Sequence, residues 1–137
     1  MLTQRGGWRR SAVSLFWCAV FAYFAWRALE MRACRFAVAG RSMEPTLQDG
    51  DWVLVDKTAY GDHRPRIGDL VAARDPRHPA RIVFKRVARR NPKGVWLLGD
   101  NPAESTDSRT FGWVADDLVM GRAWLRYWPL EEATLLY

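Results

Sequence analysis

Residues 82–98 read Ile-Val-Phe-Lys-Arg-Val-Ala-Arg-Arg-Asn-Pro-Lys-Gly-Val-Trp-Leu-Leu, and this stretch decides the fold class. Two runs rich in apolar residues flank the segment Asn91 to Gly94, whose Asn, Pro and Gly favour a turn. Strand-forming residues on both sides of a short turn are typical of a β-hairpin. The stretch therefore predicts two antiparallel strands, Ile82–Ala88 and Val95–Leu98.

The chain after residue 35 continues as short apolar runs separated by turns. Further strands are predicted at Arg35–Ala39, Trp52–Val55, Asp69–Ala73 and Val119–Tyr127. Loops are expected at 61–68 and 75–79, and a longer polar loop at 100–112, where loops of this kind are usually functional. The predicted fold class is mostly β, a small and partly open β-barrel or folded antiparallel sheet.

The charge of the chain is unevenly distributed. Its formal value of +6 suggests nucleic acid or an anionic membrane surface as a partner. Residues 1–35 hold six arginines against one glutamate, whereas residues 36–137 hold 15 basic and 14 acidic side chains. A nucleic-acid-binding domain would carry its positive excess on the folded body. The distribution argues against nucleic acid and points to a lipid bilayer.

The sixteen residues from Ser11 to Trp26 have no formal charge and are apolar on every face of a helix. Arg10 and Arg27 flank them and can direct their charges outward, so residues 1–35 are predicted to form one membrane-spanning anchor helix. A helix lying in the membrane interface is the main alternative, ahead of a cleaved signal peptide and a buried hairpin helix. The arginines are equal in number on the two sides of this segment, and the α-amino group and Glu30 favour an inside N-terminus, with residues 36–137 on the outer face. The expected location is a bacterial-type inner membrane, crossed once.

Lys85 is one of three lysines in a chain with 18 arginines, and it is the one placed within an apolar strand. A guanidinium keeps its proton in proteins, whereas a buried ammonium can lose it and act as a general base. Ser42 follows a predicted strand, and a serine hydroxyl is a weak nucleophile without such a base. Together they would form a Ser-Lys dyad that needs no metal or cofactor. Taken alone, a serine there more often caps a turn, and a strand lysine more often faces solvent.

Three boxes in a fixed order resemble the S26 family of membrane-anchored serine endopeptidases, the type I signal peptidases. The resemblance covers residues 36–128. The boxes are Ser42-Met43-Glu44-Pro45-Thr46, Lys85-Arg86-Val87, and Gly99-Asp100-Asn101 followed by Ser105-Thr106-Asp107-Ser108-Arg109.

The resemblance implies a role for each matching residue. Ser42 would be the nucleophile and Lys85 the general base. Ser105 would orient the Lys85 amine, while Asp107 and Arg109 would brace the loop behind it.

The resemblance also implies how the substrate carbonyl is held. The backbone N–H of Ser42 would donate to the oxyanion, and Met43 would shape the wall beside the nucleophile. Some family members have a serine at the position of Gly40 whose hydroxyl is a second donor, so the Gly40 region is an open point of the predicted oxyanion hole.

The short connection between Lys85 and Gly99 makes residues 36–137 a catalytic core without the large β domain that some members insert. This is similar to the compact branch described as nickel-type superoxide dismutase maturation proteases. The predicted function is removal of an N-terminal leader or signal peptide from a precursor protein, for general secretion or for that one client. A membrane-anchored binding module without catalysis and a self-cleaving Ser-Lys protein are the alternatives.

Overall fold

The computed structural model describes the backbone of residues 7–136 and the side chains of residues 14–27 and 32–136. The chain divides into two compact units, residues 1–32 and 33–137, where the sequence predicted a boundary after residue 35. Arg10, which the sequence places at one end of the anchor, lies outside the described side chains.

The first unit contains one helix, α1 (Gly7–Arg32). Its sequence has no proline and no glycine after its first residue, so nothing interrupts the backbone hydrogen bonding. Large apolar side chains are exposed along it, among them Phe16, Phe21 and Phe24. Within the described residues, no helix combines the length and the hydropathy that crossing a membrane requires.

The second unit is an open antiparallel sheet, and the mostly β prediction is confirmed. Seven strands occur in the described residues, in the order β1-β2-β6-β3-β4-β5, with β7 paired to β6. Their bounds are β1 Ala33–Ala37, β2 Trp52–Asp56, β3 Leu70–Asp75, β4 His78–Asn91, β5 Gly94–Leu98, β6 Val119–Trp128 and β7 Thr134–Leu135.

Two predicted loops are wrong in detail. The loop expected at 75–79 is a two-residue turn, because Asp75 pairs with His78 and β4 begins there. The polar loop at 100–112 contains a 3₁₀ turn, Pro102–Glu104, and a four-residue helix, α2 (Ser108–Phe111). The Asp107 carboxylate caps α2 by accepting the Arg109 N–H, so a residue expected to be in a loop ends up in a helix cap.

Strand β3 lies in the middle of the sheet and is buried on both faces. Leu70 and Ala72 belong to one core cluster, and Val71 and Ala73 belong to a second cluster on the other face. Lys85 of β4 is directly opposite Val71, so its side chain leaves the backbone on the face of the second cluster. The sheet therefore directs a lysine into buried surroundings.

Candidate active site

The turn that contains Ser42 is fixed to the sheet and to the core. Just after β1, the Val38 N–H donates to the Asp51 carbonyl at 2.7 Å. Met43 and Leu47, which follow Ser42 by one and five residues, are both buried in the first core cluster, and the Leu47 N–H donates to the Met43 carbonyl at 2.9 Å. These contacts define the backbone position of Ser42, whose side chain is half-buried.

Lys85 reaches Ser42 from the neighbouring part of the sheet. Its Nζ donates to Ser42 Oγ at 2.6 Å, and the lysine is only 3% exposed. Burial lowers the pKa of Lys85 to about 8, against the opposing effect of the Asp107 carboxylate, which raises it. A short hydrogen bond thus joins two side chains that are 43 positions apart in sequence, in the arrangement that a nucleophile and its base require.

Asp107 holds together the loop beside the dyad and is fully buried. Its carboxylate accepts hydrogen bonds from Ser105 Oγ at 2.8 Å, from the Gly99 N–H at 3.0 Å, and from Arg109 Nε and Nη2, each at 2.9 Å. Burial acts to raise the pKa of Asp107, but the hydrogen bonds from Arg109, Gly99 and Ser105 outweigh it and hold the pKa well below the ordinary range. The Asp107 carboxylate is therefore ionised at neutral pH.

A second carboxylate, Asp100, connects the Ser42 turn to β4. It accepts from Arg86 Nε at 2.9 Å and Nη2 at 2.7 Å, and from Thr46 Oγ1 at 2.6 Å. The next residue, Asn101, donates its N–H to the Ser42 carbonyl at 3.0 Å. Asp100 belongs to the third box, and the sequence assigned it no partner. The signal that could have identified its partner is Arg86, which strand alternation places on the face opposite Lys85, where it needs an acceptor.

Gly99 allows the two loops to approach each other. A Cβ at this position would lie 2.1 Å from Ser105 Oγ and 2.6 Å from the Ser42 carbonyl oxygen. Distances this short are not compatible with a side chain, so only glycine brings the end of β5 against the Ser42 turn.

Comparisons with known proteins show the family of this chain. The family model described as signal peptidase, peptidase S26, matches residues 8–90 and 91–128. The chain belongs to this family. It is 38% identical over 117 residues to the mitochondrial ATP-independent inner membrane protease subunit 1a of Arabidopsis thaliana, covering 69% of this chain and 70% of that protein. It is 33% identical over 114 residues to the human mitochondrial inner membrane protease subunit 1, covering 69% of each chain. The protein is therefore a peptidase.

Two other residues that were predicted to belong to the site of this S26 peptidase are Ser105 and Met43. Ser105 donates to Asp107, and its role in orienting Lys85 stays a prediction. Met43 is 1% exposed and supports the Ser42 turn from the core side, and its role in shaping the wall beside Ser42 stays a prediction. Among the described residues, no cluster of three histidine, cysteine, aspartate or glutamate side chains could hold a metal ion.

The backbone around Ser42 offers free donors, among them the Ser42 N–H itself. The Ser42 N–H has no acceptor among the described residues, whereas the Gly40 N–H donates to Asp49 Oδ1 at 2.7 Å. Gly40 has a φ of 90°, a conformation that favours glycine. The Gly40 amide is thus already used, and a second oxyanion donor would have to come from elsewhere.

Proposed function

We propose that this S26 peptidase is a Ser-Lys endopeptidase that removes an N-terminal leader from a precursor protein. The observation that carries the proposal is the 2.6 Å hydrogen bond between Lys85 Nζ and Ser42 Oγ, made by a lysine whose burial lowers its pKa to about 8. The named activity of the relatives, inner membrane proteases, supports an endopeptidase that acts at a membrane.

The proposed mechanism depends on transfer of the Ser42 hydroxyl proton to Lys85. Neutral Lys85 takes the Ser42 hydroxyl proton as Oγ attacks the scissile carbonyl carbon, and the Ser42 N–H donates to the resulting oxyanion. Protonated Lys85 then gives its proton to the departing amine, which leaves an acyl-enzyme on Ser42. A water that loses its proton to Lys85 hydrolyses this ester and restores both side chains.

The sheet offers an edge on which an extended leader can bind. β5 pairs with β4 from Arg86 to Asn91, and no other strand in the described part of the chain pairs with that edge of His78–Phe84. An extended peptide can add to such an edge through backbone hydrogen bonds. The unpaired stretch ends beside Lys85, so a leader bound there would bring its scissile peptide to Ser42.

Helix α1 is the proposed membrane attachment. Its exposed apolar side chains, the arginines that flank residues 11–26, and the membrane location in the relatives' names support this role. The single-pass topology in a bacterial-type inner membrane, with the catalytic core on the outer face, remains a prediction. Extraction by sodium carbonate at high pH distinguishes an integral anchor, which stays in the pellet, from a helix that lies in the interface and is released in part.

The client is either exported precursors in general or a superoxide dismutase precursor alone. Incubating the purified full chain with one precursor of each kind, and measuring the product masses, identifies which is cut and where. Cleavage of both would favour a general signal peptidase, whereas cleavage of the dismutase precursor alone would favour a dedicated maturation protease.

Replacement of Lys85 by arginine tests the dyad directly, because arginine keeps the charge but cannot act as a base. We expect Lys85→Arg and Ser42→Ala to lower kcat/KM for precursor cleavage by about 10²-fold or more. Lys93→Arg is the matched control, since Lys93 is exposed in the β4–β5 turn. This variant should cleave the precursor at the wild-type rate. Normal cleavage by Lys85→Arg would rule out the dyad. Normal biological function in Ser42→Ala would favour a binding module.

A further inference from the structure

The end of the β3–β4 hairpin is strongly basic. Residues 74–81 read Arg-Asp-Pro-Arg-His-Pro-Ala-Arg, with three arginines and one carboxylate. That carboxylate, Asp75, is buried and forms an ion pair with Arg77, with Arg77 Nη2 3.2 Å from Asp75 Oδ2. Asp75 also attracts Arg81, so three arginines share one carboxylate and the hairpin end keeps an excess of positive charge.

Arg81 is the member of this group that belongs to the strand of the dyad. It is exposed, and no hydrogen bond or ion pair of its side chain occurs among the described residues. Arg81 precedes Lys85 by four residues, about 13 Å along the backbone, and lies where the β3–β4 pairing becomes irregular. Alternation counted back from Lys85 along the paired residues directs the Arg81 side chain to the same face. Its positive charge also acts to lower the pKa of Lys85, after the larger effect of burial.

Arg81 also lies in the part of β4 whose second edge is unpaired. A peptide that adds to this edge runs beside His78–Phe84 at the same rise per residue as the strand itself. If the scissile bond of this peptide lies at Ser42, the peptide side chain beside Arg81 is about four residues from that bond.

We propose that Arg81 forms a subsite for a carboxylate side chain of the leader, about four residues from the scissile bond. The inference rests on the proposed function, because it needs a leader bound along β4. Arg74 and Arg77 add to the positive potential around the subsite, and the bound aspartate or glutamate supplies the counter-charge that the folded chain lacks there. A bilayer headgroup is the competing occupant. The peptide is favoured because Arg81 shares a strand and a face with Lys85.

A pair of charge-reversal variants tests this subsite. Arg81→Glu reverses the charge four residues before Lys85. Arg89→Glu reverses it four residues after, at an exposed position of the same strand where β5 already occupies the edge. Both variants are compared with wild type on a set of leader peptides that carry either glutamate or lysine at positions three to five residues from the scissile bond, on each side of it.

We expect wild type and Arg89→Glu to prefer glutamate over lysine at one of these positions by about five- to thirtyfold in kcat/KM, and Arg81→Glu to reverse the preference. Arg81→Gln should show little preference. Equal cleavage of all peptides by wild type, or an unchanged preference in Arg81→Glu, would overturn the subsite while leaving the endopeptidase intact. Failure of wild type to cleave any peptide, with Ser42→Ala indistinguishable from it, would overturn the proposed function itself.

A vesicle-binding experiment distinguishes a leader carboxylate from a lipid headgroup as the ligand of Arg81. The full-length variants are mixed with vesicles of phosphatidylglycerol and phosphatidylcholine, and sedimentation measures the bound fraction. The subsite predicts equal binding by Arg81→Glu and Arg89→Glu. A loss of binding confined to Arg81→Glu, together with an unchanged peptide preference, would assign the hairpin end to the membrane and contradict the proposal.

Discussion

Cleavage should depend on the protonation of Lys85, and the structure fixes where on the pH scale this occurs. With a pKa of about 8, the lysine is neutral in about 10% of molecules at pH 7. With its ordinary pKa of 10.5, only about 0.03% would be neutral, so burial raises the reactive fraction about 300-fold. We therefore expect kcat/KM to rise about tenfold per pH unit below pH 7 and to level off above pH 8 to 9.

The assay is cleavage of a leader peptide without groups that titrate between pH 6 and 10, measured as kcat/KM at half-unit steps. In Lys85→Arg the rising limb should be absent along with most of the activity, because the titrating base is gone. A limb that stays centred near 10.5 would show that burial does not tune the lysine. A limb near 8 that survives in Lys85→Arg would assign it to another group and refute the reasoning.

Two further changes test the construction of the site. Gly99→Ala would place a Cβ against Ser105 Oγ and the Ser42 carbonyl oxygen, so it should abolish cleavage. It should also lower the free energy of unfolding, measured by urea unfolding, by about 2 kcal/mol or more. An active, stable variant would mean that the loops are not in close contact. Lys85→Met should raise the free energy of unfolding at pH 7 by up to about 3 kcal/mol, because wild-type Lys85 has a folded pKa of about 8 against 10.5 in the unfolded chain. The lysine therefore disfavours folding below pH 10.5, and the cost is complete below pH 8. This difference should shrink as the pH rises from 8 to 10.5, and a difference independent of pH would indicate a packing effect alone.

The strands were predictable where burial follows a local pattern, as in the apolar run around Val83 that forms the middle of β4. The start of β4 was missed because His78 and Pro79 are exposed and do not look like a strand; pairing with β3 keeps them extended. The two-residue strand β7 was missed for a related reason, since only its contact with β6 defines it. Long-range pairing of this kind leaves no periodicity in the sequence.

The candidate site was likewise predictable from the sequence only in part. Lys85 could be singled out from its apolar neighbours and from the rarity of lysine in the chain, whereas the choice of Ser42 depended on the family resemblance. The bond from Thr46 to Asp100 joins residues 54 positions apart, and no local signal announces it. The hydrogen bond from the Gly40 N–H to Asp49 was equally unpredictable from the sequence, because it depends on how the turn after β1 closes.

Three carboxylates act to raise the pKa of Lys85, and the two that lie in the loop beside it are each bonded to an arginine. Asp107 and Asp100 each act to raise the pKa of Lys85, which would keep the lysine protonated and unable to take the serine proton. Each carboxylate, however, is bonded by both Nε and Nη2 of its own arginine, Arg109 for Asp107 and Arg86 for Asp100. These pairs offset most of the negative charge that Lys85 would otherwise experience. The carboxylates can then accept the hydrogen bonds that shape the loops, while burial decides the protonation of the base.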